Sequence, residues 1–261
     1  MSVRTAFAAV FGGLVLVAAA GAAGVPLASL SDPFDDAGTV SEWQVIEGDL
    51  QDGVAPRFDI DETTDGELTI VPGRSWWVNR DRAFALMKPV VGDFVATTRI
   101  RISGKTNAFP TANWSLSGLL VRRPVSDRAR ENWLAFRVGR VDGVDVFERK
   151  TTVNGTSALA LSARPGGWLE LRVARVGPQF VFLYRAPGGK WKHHWTYQRG
   201  DLPAKLTVGI DAFSGYDDTG ADLVSHVDSL TFASTRVPGP LRRAVVAGKK
   251  PVRALLPYLT R

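Results

Sequence analysis

Glu131-Asn132-Trp133-Leu134-Ala135-Phe136-Arg137-Val138-Gly139-Arg140-Val141-Asp142-Gly143-Val144-Asp145-Val146-Phe147-Glu148-Arg149-Lys150-Thr151-Thr152-Val153-Asn154-Gly155 decides the fold class. Its residues alternate with period two and are punctuated by Asp142-Gly143 and Asn154-Gly155. These dipeptides suit tight turns because Asn, Asp and Gly tolerate positive φ. In the first run Leu134, Phe136 and Val138 share one face, leaving Trp133 and Arg137 on the other. A period of two is the signature of half-buried strands.

The same pattern extends in both directions. Strands are predicted near 43–47, 67–71, 83–88, 93–102, 116–123, 132–140, 144–152, 168–175, 179–185, 191–198, 205–213 and 226–232. Arg164-Pro165-Gly166-Gly167, Val176-Gly177-Pro178 and Ala186-Pro187-Gly188-Gly189 supply further turns. No stretch between Trp43 and Ala233 carries a useful helical period, and no internal repeat is found. Many evenly spaced strands without intervening helices mean a sandwich or a barrel.

The 261 residues are 45% hydrophobic, 10% aromatic and 22% charged, a composition that can bury a large core. From Thr5 to Ser31 there is no charged residue. Arg4 precedes an almost wholly apolar run, Ala6 to Ala20, and small residues at Ala18, Ala20 and Ala22 permit cleavage after Ala20 or Ala22. The expectation is a signal peptide over 1–23, with an uncleaved anchor as the alternative, and hence an exported, extracytoplasmic protein. With no cysteine, an exported domain depends on core size rather than on disulfides.

The net charge of +6 is unevenly distributed. Arg4 and the seven basic residues from Arg236 to Arg261, a stretch without acids, account for eight positive charges; removing them from +6 leaves about −2 for the domain. A nucleic-acid partner therefore loses its main support. In the tail, Leu241, Val245, Val252, Leu255, Leu256 and Leu259 recur at three- and four-residue steps, which predicts two short amphipathic helices divided by Pro251. Such a segment can lie on an anionic membrane or wall polymer, and the alternatives are a solvated tail or a helix packed on the convex face of the sandwich.

Alternation also assigns candidate ligand residues. Arg122, Trp133, Arg137, Glu148, Lys150, His193, Trp195 and Tyr197 are expected to line one groove on the face away from the core, the last three sharing one face of their strand. Rings among charged groups suit sugars, whose C–H faces stack on aromatics while their hydroxyls take hydrogen bonds. The competing reading is that such rings fill a core. Trp76 and Trp77 are adjacent, so they point to opposite faces and at most one of them is core on this reading.

The chain resembles the concanavalin A-like lectin/glucanase superfamily, and more narrowly the uncharacterised bacterial domains related to the C-terminal sandwich of family 43 β-xylosidases. The resemblance rests on Ser31-Asp32-Pro33-Phe34-Asp35-Asp36, Gly66-Glu67-Leu68-Thr69-Ile70, Val91-Gly92-Asp93-Phe94, Ser117-Gly118-Leu119-Leu120-Val121-Arg122, Glu131-Asn132-Trp133-Leu134 and Lys150-Thr151-Thr152-Val153-Asn154-Gly155. It covers roughly Ser31 to Phe232. It implies an all-β, two-sheet antiparallel jelly-roll sandwich over 31–235 with the tail at 236–261, and a carbohydrate-binding or carbohydrate-associated role. It also implies a calcium site between the first and last strands, for which Asp35, Asp36 and Asp228 are the matching acids and a solvated turn is the alternative.

The paired-acid strand motif of the superfamily's glucanases is absent from the sequence, and Glu148 has a lysine for a neighbour. Glycoside hydrolysis needs two carboxylates flanking one bond. No other hydrolase, nucleotide or metalloprotease motif occurs. The expected function is a non-catalytic carbohydrate-binding module. The alternatives are a glycan-active enzyme with dispersed catalytic residues and a structural or protein-interaction domain at the cell surface.

Overall fold

The computed structural model describes residues 26–47, 56–79, 81–124, 130–215 and 220–261. The expected signal segment 1–23 and its cleavage positions lie outside them. Sixteen strands are described. The first eight are β1 (Gln44–Ile46), β2 (Arg57–Ile60), β3 (Leu68–Val71), β4 (Trp76–Trp77), β5 (Asp81–Arg82), β6 (Phe84–Val91), β7 (Phe94–Gly104) and β8 (Ser115–Arg122). They are followed by β9 (Trp133–Val141), β10 (Val144–Val153), β11 (Thr156–Ala163), β12 (Leu169–Val176), β13 (Gln179–Arg185), β14 (Lys192–Gln198), β15 (Lys205–Phe213) and β16 (Leu223–Ala233).

The long strands form two antiparallel seven-stranded sheets, as expected of a jelly-roll sandwich. The first runs β1-β6-β15-β8-β9-β10-β11 and the second β14-β13-β12-β7-β16-β3-β2. Between them lies a core that includes Leu134, Phe136 and Val138 from β9, Val208 and Ile210 from β15, and Val173, Phe180 and Phe182 from the second sheet. Ring contacts knit the two sheets together, among them Phe136 stacked on Phe182 at 5.1 Å.

Two further apolar layers cover the outer faces. On the first sheet, Trp77, Trp133, Met87, Leu116, Leu120 and Phe213 belong to one buried cluster. A strap formed by 74–78 closes over it. Arg74 bridges to Ser214, the Lys150 ammonium donates to the Trp77 carbonyl at 2.8 Å, and the Ser157 hydroxyl donates to the Val78 carbonyl. On the second sheet, the tail folds into α1 (Gly239–Val246) and α2 (Leu256–Leu259). Val245, Leu255 and Leu259 are buried there against Val95, Ala174, Val176, Val181 and Leu183. No helix among the described residues is long and apolar enough to cross a membrane.

Candidate functional site

Cross-strand register builds the site. Glu148 on β10 pairs with Arg137 on β9, Arg137 with Gly118 on β8, and Gly118 with Asp211 on β15. These four residues form one row across the outer face of the first sheet. Gly118 lets the row close: with no side chain between them, Arg137 reaches over it to Asp211, donating from Nε to both carboxylate oxygens at 2.9 Å. Its Nη2 donates to Asp211 Oδ2 and its Nη1 to Glu148 Oε2. The arginine and both acids are fully buried. A buried ion is tolerated only when it is paired and hydrogen-bonded, and here one guanidinium holds two carboxylates. The two acids drive the Arg137 pKa upward against the opposing effect of its burial. Burial raises that of Asp211, with Arg137 opposing.

Above this row opens a cleft of about 180 Å³. Trp76, Val78, Trp114 and Leu159 contribute apolar walls, while Glu148 and Lys150 supply its polar groups. Trp76 and Trp114 are half-buried. Trp114 sits at φ 52°, a left-handed conformation rare for a bulky residue. Asn113 stabilises that turn, its Oδ1 accepting from the Trp114 and Asp142 amides at 2.9 and 2.7 Å. Glu148 Oε1 is buried and has no hydrogen-bond partner, and the same holds for the indole nitrogens of Trp77 and Trp133. Burial lowers the Lys150 pKa to about 8.

The expected site residues separate into two groups. Arg122, Trp133, Arg137, Glu148 and Lys150 do share the outer face of the first sheet, as alternation required. Trp133, however, is 0% exposed, packed edge-on against Trp77 at 6.1 Å. It is part of the layer beneath the strap and is no open platform. Arg122 is also buried, donating to Glu131 at 3.1 Å. Of the adjacent pair, Trp77 is the buried ring and Trp76 the accessible one.

His193, Trp195 and Tyr197 are elsewhere. They lie on β14, the edge of the second sheet, and simple alternation fails there because the register shifts between Trp195 and His193. His194 is the extra residue, its ring stacked on Phe136 at 4.9 Å. A bulge of this kind re-aims the side chains on either side of it. Tyr197 packs against the central core, His193 is exposed, and Trp195 is 41% exposed with the Arg149 guanidinium 3.6 Å above its ring.

The acids matched to calcium are engaged singly. Asp36 caps the turn at Gly38, Asp35 is exposed, and Asp228 pairs with Arg99 at 3.2 Å. Among the described residues no group of three or more His, Asp or Glu could hold a metal ion. Asp211 escaped the sequence reading. The signal was present in Gly209-Ile210-Asp211-Ala212-Phe213, where Asp211 and Phe213 alternate with core residues, but nothing marked Asp211 as the partner of Arg137.

No family profile matches the chain, and no curated protein matches it. Solved structures do. A functionally unknown protein from Saccharomyces cerevisiae aligns over 75% of this chain and 97% of its own, at 15% identity and a TM-score of 0.56. The family 43 glycoside hydrolase BlXynB from Bacillus licheniformis aligns over 78% of this chain at 15% identity and a TM-score of 0.58; the match spans 39% of that enzyme. Rv0315 of Mycobacterium tuberculosis, described as an immunostimulatory antigen and pseudo β-1,3-glucanase, aligns over 79% of this chain and 98% of its own, at 15% identity and a TM-score of 0.53. What this likeness shows is the fold, a two-sheet antiparallel jelly-roll sandwich.

Proposed function

We propose that the chain is an exported carbohydrate-binding module that holds a sugar in the cleft between Trp76 and Trp114 without cleaving it. The observation that carries this is Glu148 Oε1, a buried carboxylate oxygen without a partner, belonging to a residue that lines an aromatic-walled cleft. An unmade hydrogen bond at such a group costs about 1 to 3 kcal/mol or more, and a sugar hydroxyl is a donor that relieves it. The rings supply stacking area for the C–H face of the same sugar.

The arrangement favours binding over hydrolysis. A glycosidase needs one carboxyl to give up a proton and a second to act as nucleophile or base. Asp211 is fully buried with both oxygens held by Arg137, and Glu148 shares that guanidinium. The glycan-related names among the structural neighbours agree with this reading, although they describe those proteins and not this chain.

The test is calorimetric titration with soluble β-1,3-glucan and xylan oligosaccharides, run beside a reducing-sugar assay on the parent polymers. Saturable binding that weakens in Glu148→Gln, with no sugar released, supports the proposal. Release of reducing ends that is lost in Glu148→Gln would make the cleft an active site instead. N-terminal sequencing of the exported protein tests the signal segment, and a chain that retains Arg4 would refute cleavage.

A further inference from the structure

On the outer face of the second sheet, away from the cleft, three side chains from different strands are connected in sequence. The Ser103 hydroxyl on β7 is 3.0 Å from His226 Nε2 on β16, and His226 Nδ1 is 3.1 Å from Glu67 Oε2 at the start of β3. The register places Arg101 directly opposite His226, with its Nη2 3.2 Å from Nδ1 and 3.8 Å from Glu67. Trp168 lies under the guanidinium groups of Arg99 and Arg101, at 5.0 and 5.1 Å. The Glu67 and His226 side chains keep 13% and 12% exposure, so the group is accessible from solvent but largely shielded.

We propose that Ser103, His226 and Glu67 form a nucleophilic triad that hydrolyses small acyl esters. A hydroxyl is activated when an adjacent base can take its proton and a third group orients that base. In the tautomer protonated at Nδ1 the carboxylate accepts from Nδ1–H and Nε2 is left to receive the Ser103 proton, the Arg101 guanidinium then standing beside the ring as a charge and not as a hydrogen-bond donor to it. Burial and the neighbouring Arg101 charge lower the His226 pKa, which keeps the imidazole in the neutral form that a base requires.

The steps balance with water as the only co-reactant. Ser103 Oγ bonds to the ester carbonyl carbon as its proton passes to His226 Nε2, and the carbonyl oxygen takes the displaced electron pair. Collapse of that adduct breaks the bond to the alcohol, which leaves with the proton from His226. Water, deprotonated by the same nitrogen, then releases the carboxylic acid and restores Ser103. Because the triad stands on an open sheet face beside a tryptophan, it suits a short acyl group projecting from a larger molecule, such as an O-acetyl ester. This inference is independent of the cleft.

The experiment treats the full chain with a fluorophosphonate probe, maps the modified peptide by mass spectrometry, and follows hydrolysis of 4-nitrophenyl acetate. Modification at Ser103 is expected, together with a rate that falls about a hundredfold in Ser103→Ala and in His226→Ala, at an unchanged melting temperature for Ser103→Ala. Wild-type protein that leaves Ser103 unmodified and hydrolyses the ester no faster than Ser103→Ala would overturn the assignment. The labelling is read on the wild type and so does not depend on how the variants fold.

Discussion

At the scale of single residues, the cleft and the core place opposite demands on tryptophan. Trp76 is half-buried on the cleft wall, so Trp76→Ala should remove stacking of about 1 kcal/mol and weaken oligosaccharide binding about fivefold, with the melting temperature little changed. Trp133 is fully buried, and Trp133→Ala should instead cost roughly 3 to 5 kcal/mol of stability, read by denaturant titration. If the two variants behaved alike, the division into wall and core would be wrong. His194 gives a third test. Burial, with Arg149 and His193 adding to it, lowers its pKa to about 4 from 6.5. The unfolded chain therefore binds a proton between pH 6.5 and 4 that the folded chain refuses, and stability present above 6.5 is lost as the pH falls through that window. His194→Phe keeps a ring on Phe136 and Phe147 and should flatten this part of the stability profile by on the order of 1 kcal/mol, since partial exposure of the imidazole screens the effect. Melting curves at pH 7 and pH 4.5 measure it.

At the scale of elements, a cross-strand row carries more information than any one strand. Gly118 separates Arg137 from Asp211, and a Cβ built there would stand 2.3 Å from the Phe136 carbonyl oxygen. Gly118→Ala should therefore force β8 and β9 apart and disturb the Arg137 ion pairs, costing several kcal/mol because charged groups would be left without partners in the interior. Unchanged stability in that variant would show that the sheet absorbs the clash without opening. The same row explains what the sequence revealed and what it hid. Most of the long strands were legible because their apolar residues recur at period two. The strand β11 was not, because Thr156-Ser157-Ala158-Leu159-Ala160-Leu161-Ser162-Ala163 lacks the β-branched apolar residues that mark strands and lies at a mostly exposed edge. The sharing of one face by Arg137, Glu148 and Lys150 followed from alternation alone. Pairing with Asp211 could not, since register between strands 74 residues apart in sequence is a tertiary fact. The separation of His193 from Trp195 and Tyr197 has a local cause, since one bulged residue, His194, breaks the period on which their shared face depended, whereas the placing of all three in the second sheet is again a tertiary fact.

At the scale of the whole molecule, the basic tail is part of the structure, and its packing alters what its charges can do. Val245, Leu255 and Leu259 turn inward onto the second sheet, so the apolar face that a membrane-bound helix would insert is already occupied. Polar contacts fix the docking: Arg242 pairs with Asp93, and Arg172 donates to the carbonyls of Leu259 and Arg261. Arg243, Lys249, Lys250 and Arg253 remain exposed, and any contact they make with an anionic polymer is electrostatic and salt-sensitive. Stability should follow the apolar contacts instead. Leu259→Ala removes a fully buried side chain and should cost about 2 to 4 kcal/mol. Removal of 236–261 should expose Val95, Ala174, Val181 and Leu183 together, lowering the melting temperature and raising the fluorescence of a dye that binds apolar surface. Moderate salt should change neither result much, because the lost term is burial rather than charge. A truncated chain that melts with the full-length protein would mean that the second sheet needs no cover and that the tail merely rests on it.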